Sequence, residues 1–321
     1  MLEIRDLSVR IGGHEIIHID ELDVPPGTRL GLVGESGSGK TMTAKAIAGL
    51  LPKGAKASGT VRFNGRNLLD LNDSEFSKIR GRSIGFIFQD PARSLNPMMR
   101  VGRQVSEAIR LHTKLKGRAV DDKVIELLEL VQLPDPAVIV RRYPHQLSGG
   151  QQQRVMIAAA ISADPELLIA DEPTTALDVT VQHEILRLLM SLTEQRKMSV
   201  LFVSHDLGVI RFVCDRVAVI YGGHVVETGR TEHVVQRPRH RYTTALLAAN
   251  PGMPKGDDFG SHIGQRLQTI EGSVPEVGRF PSGCRFRNRC VHRSAACLEM
   301  PPPFETSDGH RSWCWHPAGE G

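Results

Sequence analysis

The residues with the clearest chemical purpose are Gly34-Glu35-Ser36-Gly37-Ser38-Gly39-Lys40-Thr41. The glycines let backbone N–H groups turn inward around phosphate oxygens, and the segment matches the whole Gly-x4-Gly-Lys-Thr pattern of a phosphate loop. Lys40 is the residue that reaches β- and γ-phosphates in such a loop, and the Thr41 hydroxyl is the one that ligates Mg²⁺. Asp171 and Glu172 form a second candidate group, closing the apolar run Leu167-Leu168-Ile169-Ala170. A carboxylate at a strand's end can hold Mg²⁺ near phosphates, and the next acid can polarise a water for attack on phosphorus. Two acids after a strand are ordinarily a solvated turn; the phosphate loop in the same chain favours the catalytic reading.

These groups need elements to place them. Leu30-Gly31-Leu32-Val33 reads as a buried strand entering the loop, and residues 41–50 read as a helix whose positive dipole end faces the phosphates. Ile84 to Phe88, Leu167 to Ala170, Val200 to Val203 and Val217 to Ile220 read as further strands, with a helix over Val181 to Glu194. Alternating strands and helices predict an α/β fold with a mainly parallel core. Val124, Leu127, Leu128 and Val131 recur at helix spacing, inside a stretch from about 95 to 160 that reads as a helical insertion. Composition turns to Gly, Pro, Asp and Ser between Asn250 and Gly264, as in a linker. The expected organisation is one nucleotide-binding domain over 1–249, a linker over 250–270 and a Cys-rich extension over 271–321.

The chain's 321 residues suit one large domain with an appendix, and 40% apolar with 24% charged residues describes an ordinary globular protein. A net charge of +4 is too small to make nucleic acid the main partner. Val155 to Ala163, the richest apolar stretch, is about half the length of a membrane-spanning helix. The N-terminus shows no basic-then-apolar signal pattern, so any membrane role would be exercised by docking onto other chains.

Four of the five cysteines fall in the last 40 residues, spaced Cys284-x5-Cys290-x6-Cys297-x16-Cys314. This is neither a zinc-finger spacing nor the usual ferredoxin run. Metal binding is the favoured reading over free thiols or a disulfide, and four thiolates suit Zn²⁺ or a [4Fe–4S] cluster equally by count. Arg285, Arg287, Arg289 and Arg293 are candidates to offset the negative charge of such a site. Phe286, Phe304, Trp313 and Trp315 are expected to pack the small lobe, and Cys214 reads as buried packing.

Leu147-Ser148-Gly149-Gly150-Gln151 resembles the signature motif of ABC ATPases, with Ser148 expected to cap a helix start. Other elements similar to that family follow in order: Gln89 as the Q-loop glutamine, Ala176-Leu177-Asp178 as the D-loop and His205 as the switch histidine. The resemblance spans about residues 1 to 245. It implies a P-loop ABC ATPase fold with a parallel sheet core, a β subdomain and a helical insertion. It implies that ATP is bound by Gly34, Ser36, Gly37, Ser38, Gly39, Lys40, Thr41, Met42 and Asp171, and from a second subunit by Ser148, Gly150 and Gln151. Thr41 and Gln89 would ligate Mg²⁺, and Glu172, His205 and Gln89 would carry hydrolysis. The position where the family stacks an aromatic residue on adenine holds Ile11 here.

Asp90-Pro91-Ala92-Arg93-Ser94-Leu95-Asn96-Pro97 is similar to the segment after the Q-loop in oligopeptide and dipeptide import ATPases. His240-Arg241-Tyr242-Thr243 resembles their His-Pro-Tyr-Thr segment, with Arg241 in place of Pro. Gly272-Ser273-Val274-Pro275 and the Cys tail resemble their C-terminal extension, which in some members holds a [4Fe–4S] cluster. The resemblance implies peptide import. It also implies a heterodimer with a second ATPase, two permeases and an extracytoplasmic binding protein, with this chain peripheral on the cytoplasmic face of the membrane. Nickel import is the near alternative. A non-transport ABC ATPase, such as a phosphonate-breakdown subunit, is the one from another class.

Overall fold

The computed structural model describes residues 1–175, 177–249 and 269–319. The chain opens with strands β1 (Leu2–Ile11), β2 (His14–Val24) and β3 (Arg29–Val33), helix α1 (Lys40–Ile47), and strands β4 (Lys56–Phe63) and β5 (Arg66–Asn67). Helix α2 (Asp73–Ser77) and strand β6 (Ile84–Ile87) follow. Next come α3 (Pro91–Ser94), α4 (Val101–His112), α5 (Arg118–Leu130), α6 (Pro136–Ile139) and α7 (Gly149–Ala160). Strand β7 (Leu167–Asp171), α8 (Val179–Arg196), β8 (Ser199–Ser204), α9 (Leu207–Val213), β9 (Arg216–Tyr221) and β10 (His224–Arg230) come after them. Helices α10 (Thr231–Gln236) and α11 (Arg241–Ala248) and the short strands β11 (Phe304–Glu305) and β12 (Arg311–Ser312) close the series.

These elements form two compact units. The first comprises Met1–Val24, Thr28–Leu69 and Phe202–Gly321; the second comprises Pro25–Gly27 and Asp70–Leu201. The division falls inside β8.

The first unit has two sheets. One is antiparallel, in the order β2-β1-β4-β5. Its first hairpin turns on Gly12 and Gly13, both with positive φ (58° and 85°), the backbone that a two-residue hairpin turn requires. Leu2 and Ile4, then Leu7 and Val9, are buried on β1. The three-residue step between Ile4 and Leu7 marks a bulge, where Asp6 takes a φ of 49° and the register with β4 shifts. The other sheet runs β11-β12-β10-β9-β3, with β8 beyond β3. Strands β3 and β9 are parallel, whereas β9 with β10 and β10 with β12 are antiparallel. The parallel reading thus holds for β3 with β9, and the C-terminal tail adds antiparallel strands at the sheet's edge. Helix α1 ends at Ile47, before the expected Leu50. Gly49 turns left-handed (φ 64°) and the Leu50 N–H reaches back to the Lys45 carbonyl, a closing motif that stops the helix.

In the second unit, β7 is parallel to β6, and all five residues of β7 are buried, as expected of an interior strand covered on both faces. Helix α4 buries Val101, Val105 and Ile109, and α5 buries Val120, Val124, Leu127 and Leu128, each along one stripe. Val131 is buried as the residue capping α5. Gly85 on β6 permits a close approach: a Cβ there would sit 2.4 Å from the Ala160 carbonyl at the end of α7. Of the expected linker, only Thr269 and Ile270 lie within the described residues. Among the described residues no helix is long and apolar enough to cross a membrane.

Candidate functional site

The phosphate loop joins β3 to α1 in the first unit. Gly37 and Gly39 have φ values of 80° and 103°, which side-chain-bearing residues adopt only with strain. Gly34 is required for another reason: a Cβ there would lie 2.1 Å from the Ile220 carbonyl oxygen of β9. Ser36 and Gly37 are exposed at the loop's tip, while Ser38 and Lys40 are buried beneath it. The Lys40 ammonium donates to the Gly34 carbonyl at 2.7 Å and to the Glu35 carbonyl at 2.9 Å, so its charge is held inside the loop. The Gly223 N–H donates to the Ser38 carbonyl at 2.9 Å, tying the loop to the β9–β10 turn. Thr41 and Met42 follow in the first turn of α1.

Two other expected residues belong to this unit. Ile11 ends β1 opposite His14, half-buried at the hairpin tip. His205 follows β8 and is exposed, and Asp206 after it caps α9 by accepting the Gly208 N–H at 2.7 Å.

The second unit brings together Gln89 and Glu172. Gln89 Nε2 donates to the Glu172 carboxylate at 3.0 Å, and the Thr175 hydroxyl donates to the same oxygen at 2.9 Å. Glu172 has a φ of 46°, a left-handed backbone uncommon for a side chain of its size and typical of residues held for chemistry. Asp171, one residue earlier, is the buried end of β7. Ser148 caps α7: its hydroxyl accepts the Gln151 N–H at 3.3 Å, and the Gln151 side chain accepts the Ser148 N–H at 3.1 Å. Ser148 and Gly149 are exposed, so this helix start faces solvent. Of the expected D-loop, Ala176 lies outside the described residues. Asp178 caps α8 by accepting the Val181 N–H at 2.9 Å.

The four late cysteines are gathered in the first unit, and none is in a disulfide. Burial pushes the Cys284 thiol up to about 11, against the N–H of Phe286, and Cys297, Cys314 and Cys290 add to the rise. Among the described residues, the sole group bringing three metal-ligand atoms within 4.8 Å of one another is Asp6, His18 and Asp20. No three of the cysteine sulfurs form such a group. The expected arginines point elsewhere. Arg285 donates to Glu15 at 2.9 Å and to the Gly222 carbonyl, Arg287 to the Ser282 carbonyl, and Arg289 to Glu35. Burial raises the Cys290 and Cys314 thiols, and Arg241 works against that rise. Phe286 also departs from expectation: it packs edge-on against Tyr221 of β9, with ring centroids 5.2 Å apart, and beside Tyr242 of α11. Phe304 and Trp315 do pack together, at 6.3 Å. Cys214 is buried, with its sulfur 3.3 Å from the place a Gly31 Cβ would take.

Sequence reasoning missed the contacts around Glu35. Its N–H donates to the Tyr242 hydroxyl at 2.8 Å, and its carboxylate takes both Nη atoms of Arg289. It also missed buried Glu227, whose carboxylate accepts the backbone N–H groups of Arg239 and His240 and meets the His310 ring at 2.7 Å. The one available signal was an acid inside the apolar run of β10.

A strand–loop–helix phosphate cradle, an acid-ended buried strand and a self-capped glycine-rich helix start define a P-loop ATPase. Residues 17–175 match the ABC transporter family, and residues 226–297 match the oligopeptide/dipeptide transporter C-terminal region. The chain is 46% identical over 319 residues to a peptide import ATP-binding protein of Brucella abortus, covering 98% of this chain and 94% of that one. It is 42% identical to the oligopeptide transport ATP-binding protein OppD of Bacillus subtilis, covering 99% and 89%. Its fold is similar to a dimeric ATP-binding cassette, MJ0796, bound to ADP and Pi. The TM-score is 0.64 at 31% identity, over 72% of this chain and 99% of that one. The chain belongs to the ABC transporter ATP-binding proteins, in the branch carrying the oligopeptide/dipeptide C-terminal region, and is an ATPase using ATP and Mg²⁺.

Proposed function

We propose that this chain hydrolyses ATP to drive peptide import, as a peripheral subunit on the cytoplasmic face of membrane permeases. The observation that carries this is the pairing of a complete phosphate loop with the oligopeptide/dipeptide C-terminal region in one chain. A D,D-dipeptide transport ATP-binding protein of Escherichia coli is 41% identical over 330 residues, which favours peptide over nickel as cargo.

In the first unit, the loop from Gly34 to Thr41, with Met42, takes the phosphates, and Ile11 gives an apolar contact to adenine. His205 contacts the γ-phosphate and holds the attacking water in line. In the second unit, Glu172 is the general base. Its fixed carboxylate and left-handed backbone support that role. Gln89 donates its amide N–H to Glu172, which leaves its carbonyl oxygen to act as a metal ligand. The Thr41 hydroxyl in the first unit and the Asp171 carboxylate in the second are likewise hard oxygens of the kind Mg²⁺ takes. Mg²⁺, when bound, would supply positive charge to offset that of the phosphates.

The exposed start of α7 supports a head-to-tail pair in which Ser148, Gly150 and Gln151 of a partner chain complete each site. The partner is a second, related ATPase, and an extracytoplasmic binding protein delivers the peptide. Exposed Phe88 and Met98 flank the segment after Gln89 and offer apolar surface to a permease. Cys284, Cys290, Cys297 and Cys314 would hold a [4Fe–4S] cluster, supported by four thiols close enough for three of them to raise the Cys284 thiol. A bound cluster would staple the small lobe.

Anaerobic purification from the native cell tests the assembly, with partners identified by mass spectrometry and iron, sulfide and zinc quantified. Permeases, a second ATPase and iron with sulfide are expected. Recovery without any permease would sink the transport reading, and zinc without iron would sink the cluster. Glu172→Gln should keep ATP binding and lose about a hundredfold or more in turnover; normal turnover would refute the assigned base.

A further inference from the structure

We propose that Arg289 of the C-terminal lobe is a positioning residue for the phosphate loop, gripping Glu35 so that ATP affinity depends on it. Arg289 is only 6% exposed at its side chain. Its Nη1 and Nη2 reach the two Glu35 oxygens at 2.7 and 3.1 Å, a fork-to-fork pair. The guanidinium is itself anchored: Nε donates to the Glu271 carbonyl at 2.8 Å and Nη2 to that of Gly272 at 3.2 Å. Arg289 ends the short helical turn Arg287–Arg289, and Phe286 before that turn is wedged against Tyr221 and Tyr242.

Glu35 is the second residue of the loop, and it is held from both sides. Arg289 takes its carboxylate, and the Tyr242 hydroxyl takes its N–H at 2.8 Å. The Glu35 carbonyl in turn accepts from the Lys40 ammonium at 2.9 Å and from the Ser38 N–H at 3.2 Å. Fixing Glu35 therefore fixes an oxygen on which the phosphate-binding lysine leans. The charge matters as well. Without its partner, the Glu35 carboxylate would stand in the loop that must receive a polyanion, and like charges repel at short range. Arg289 cancels that charge within the loop. The sequence gives no sign of this, because Glu35 and Arg289 are 254 residues apart.

The inference rests on the loop binding ATP, and one experiment separates the two. Mg·ATP binding to the full chain is measured by calorimetry, with thermal stability recorded without nucleotide. Wild type that binds no ATP undoes the functional reading; unaltered affinity in the variants undoes this one alone. Arg289→Gln is expected to weaken ATP binding about tenfold, the scale of one charge-assisted pair. Glu35→Gln with Arg289→Gln should recover to within about threefold of wild type, because the unpaired charge is gone. Affinity within twofold of wild type in Arg289→Gln, or a double variant as weak as Arg289→Gln, overturns the proposal. Should Arg289→Gln not fold, Arg289→Lys keeps the charge and loses the fork. It is expected to bind ATP about threefold more weakly, and wild-type affinity there counts against the grip.

Discussion

Two glycine-rich helix starts, one in each unit, are built in opposite ways. At α1 the loop is braced from outside itself: Lys40 and Ser38 are buried, Gly34 has no room for a Cβ, and Glu35 is held by Tyr242 and Arg289. At α7 the start is exposed and satisfies itself, with Ser148 and Gln151 exchanging hydrogen bonds. A start that must bind alone is made rigid by its surroundings. A start meant to meet a ligand carried by another chain needs only to keep its own shape. On the proposed head-to-tail reading, that difference makes the second start half of a site.

The largest expected effect breaks the two apart by function. Lys40→Ala should weaken Mg·ATP binding to the single chain by about ten- to a hundredfold, since a charged donor to the phosphates is removed. Ser148→Arg should leave single-chain binding within twofold. In the assembled transporter it should cost turnover about a hundredfold, because an exposed helix start that met the partner's γ-phosphate is now obstructed. Binding calorimetry and phosphate-release assays read the two. If Ser148→Arg instead weakened binding by the isolated chain, the contrast between a complete and a half site would be lost.

The next effect is on folding. Gly34→Ala should destabilise the protein by about 2 kcal/mol or more, because its Cβ meets the Ile220 backbone oxygen at 2.1 Å and backbone cannot step aside cheaply. Gly149→Ala meets only Leu177 Cδ2 at 3.8 Å, an ordinary contact, and alanine favours helix. It should change stability by less than about 0.5 kcal/mol or improve it. Urea unfolding with each variant decides this, and equal losses at the two glycines would show that both starts are equally crowded.

What the sequence disclosed follows the same line. Gly34 to Thr41, Leu167 to Glu172 and Leu147 to Gln151 are local patterns in which spacing states the geometry, and the structure folds each as strand, loop or helix start. The β1–β2 hairpin at Gly12-Gly13 and the bulge at Asp6 went unread, being short features of backbone geometry. The bracing contacts were hidden because they join residues far apart: Glu35 with Tyr242 and Arg289, and Glu227 with His240 and His310. Arginine clustering misled for a physical reason. A guanidinium goes to the nearest carboxylate or carbonyl, so Arg285, Arg287 and Arg289 found partners other than the thiols. The distant Arg241 is the cation that acts against the rise of the Cys290 and Cys314 thiols.

The smallest expected effect lies in the response to acid. Burial lowers His240 to about 4, although the facing Glu227 carboxylate raises it. The neutral ring caps α11 through Nδ1, which accepts the Tyr242 N–H at 3.0 Å, and the Phe286 ring lies 6.2 Å away. Because the folded value lies below the ordinary one, the unfolded chain takes up this proton first. Stability is therefore full above about pH 6.5 and falls toward pH 4, with a slope approaching 1.4 kcal/mol per unit from this group. A protonated ring loses the acceptor for Tyr242, whose hydroxyl holds the Glu35 N–H. At pH 5 about a tenth of the folded chains carry that proton. The Glu35 and Tyr242 amide resonances should accordingly shift slightly between pH 7 and pH 5, while that of Gln151, capped by uncharged Ser148, should hold still. His240→Asn, which can cap without titrating, should remove the shift at Glu35. Equal movement at Glu35 and Gln151 would mean that the brace is not what acid reaches.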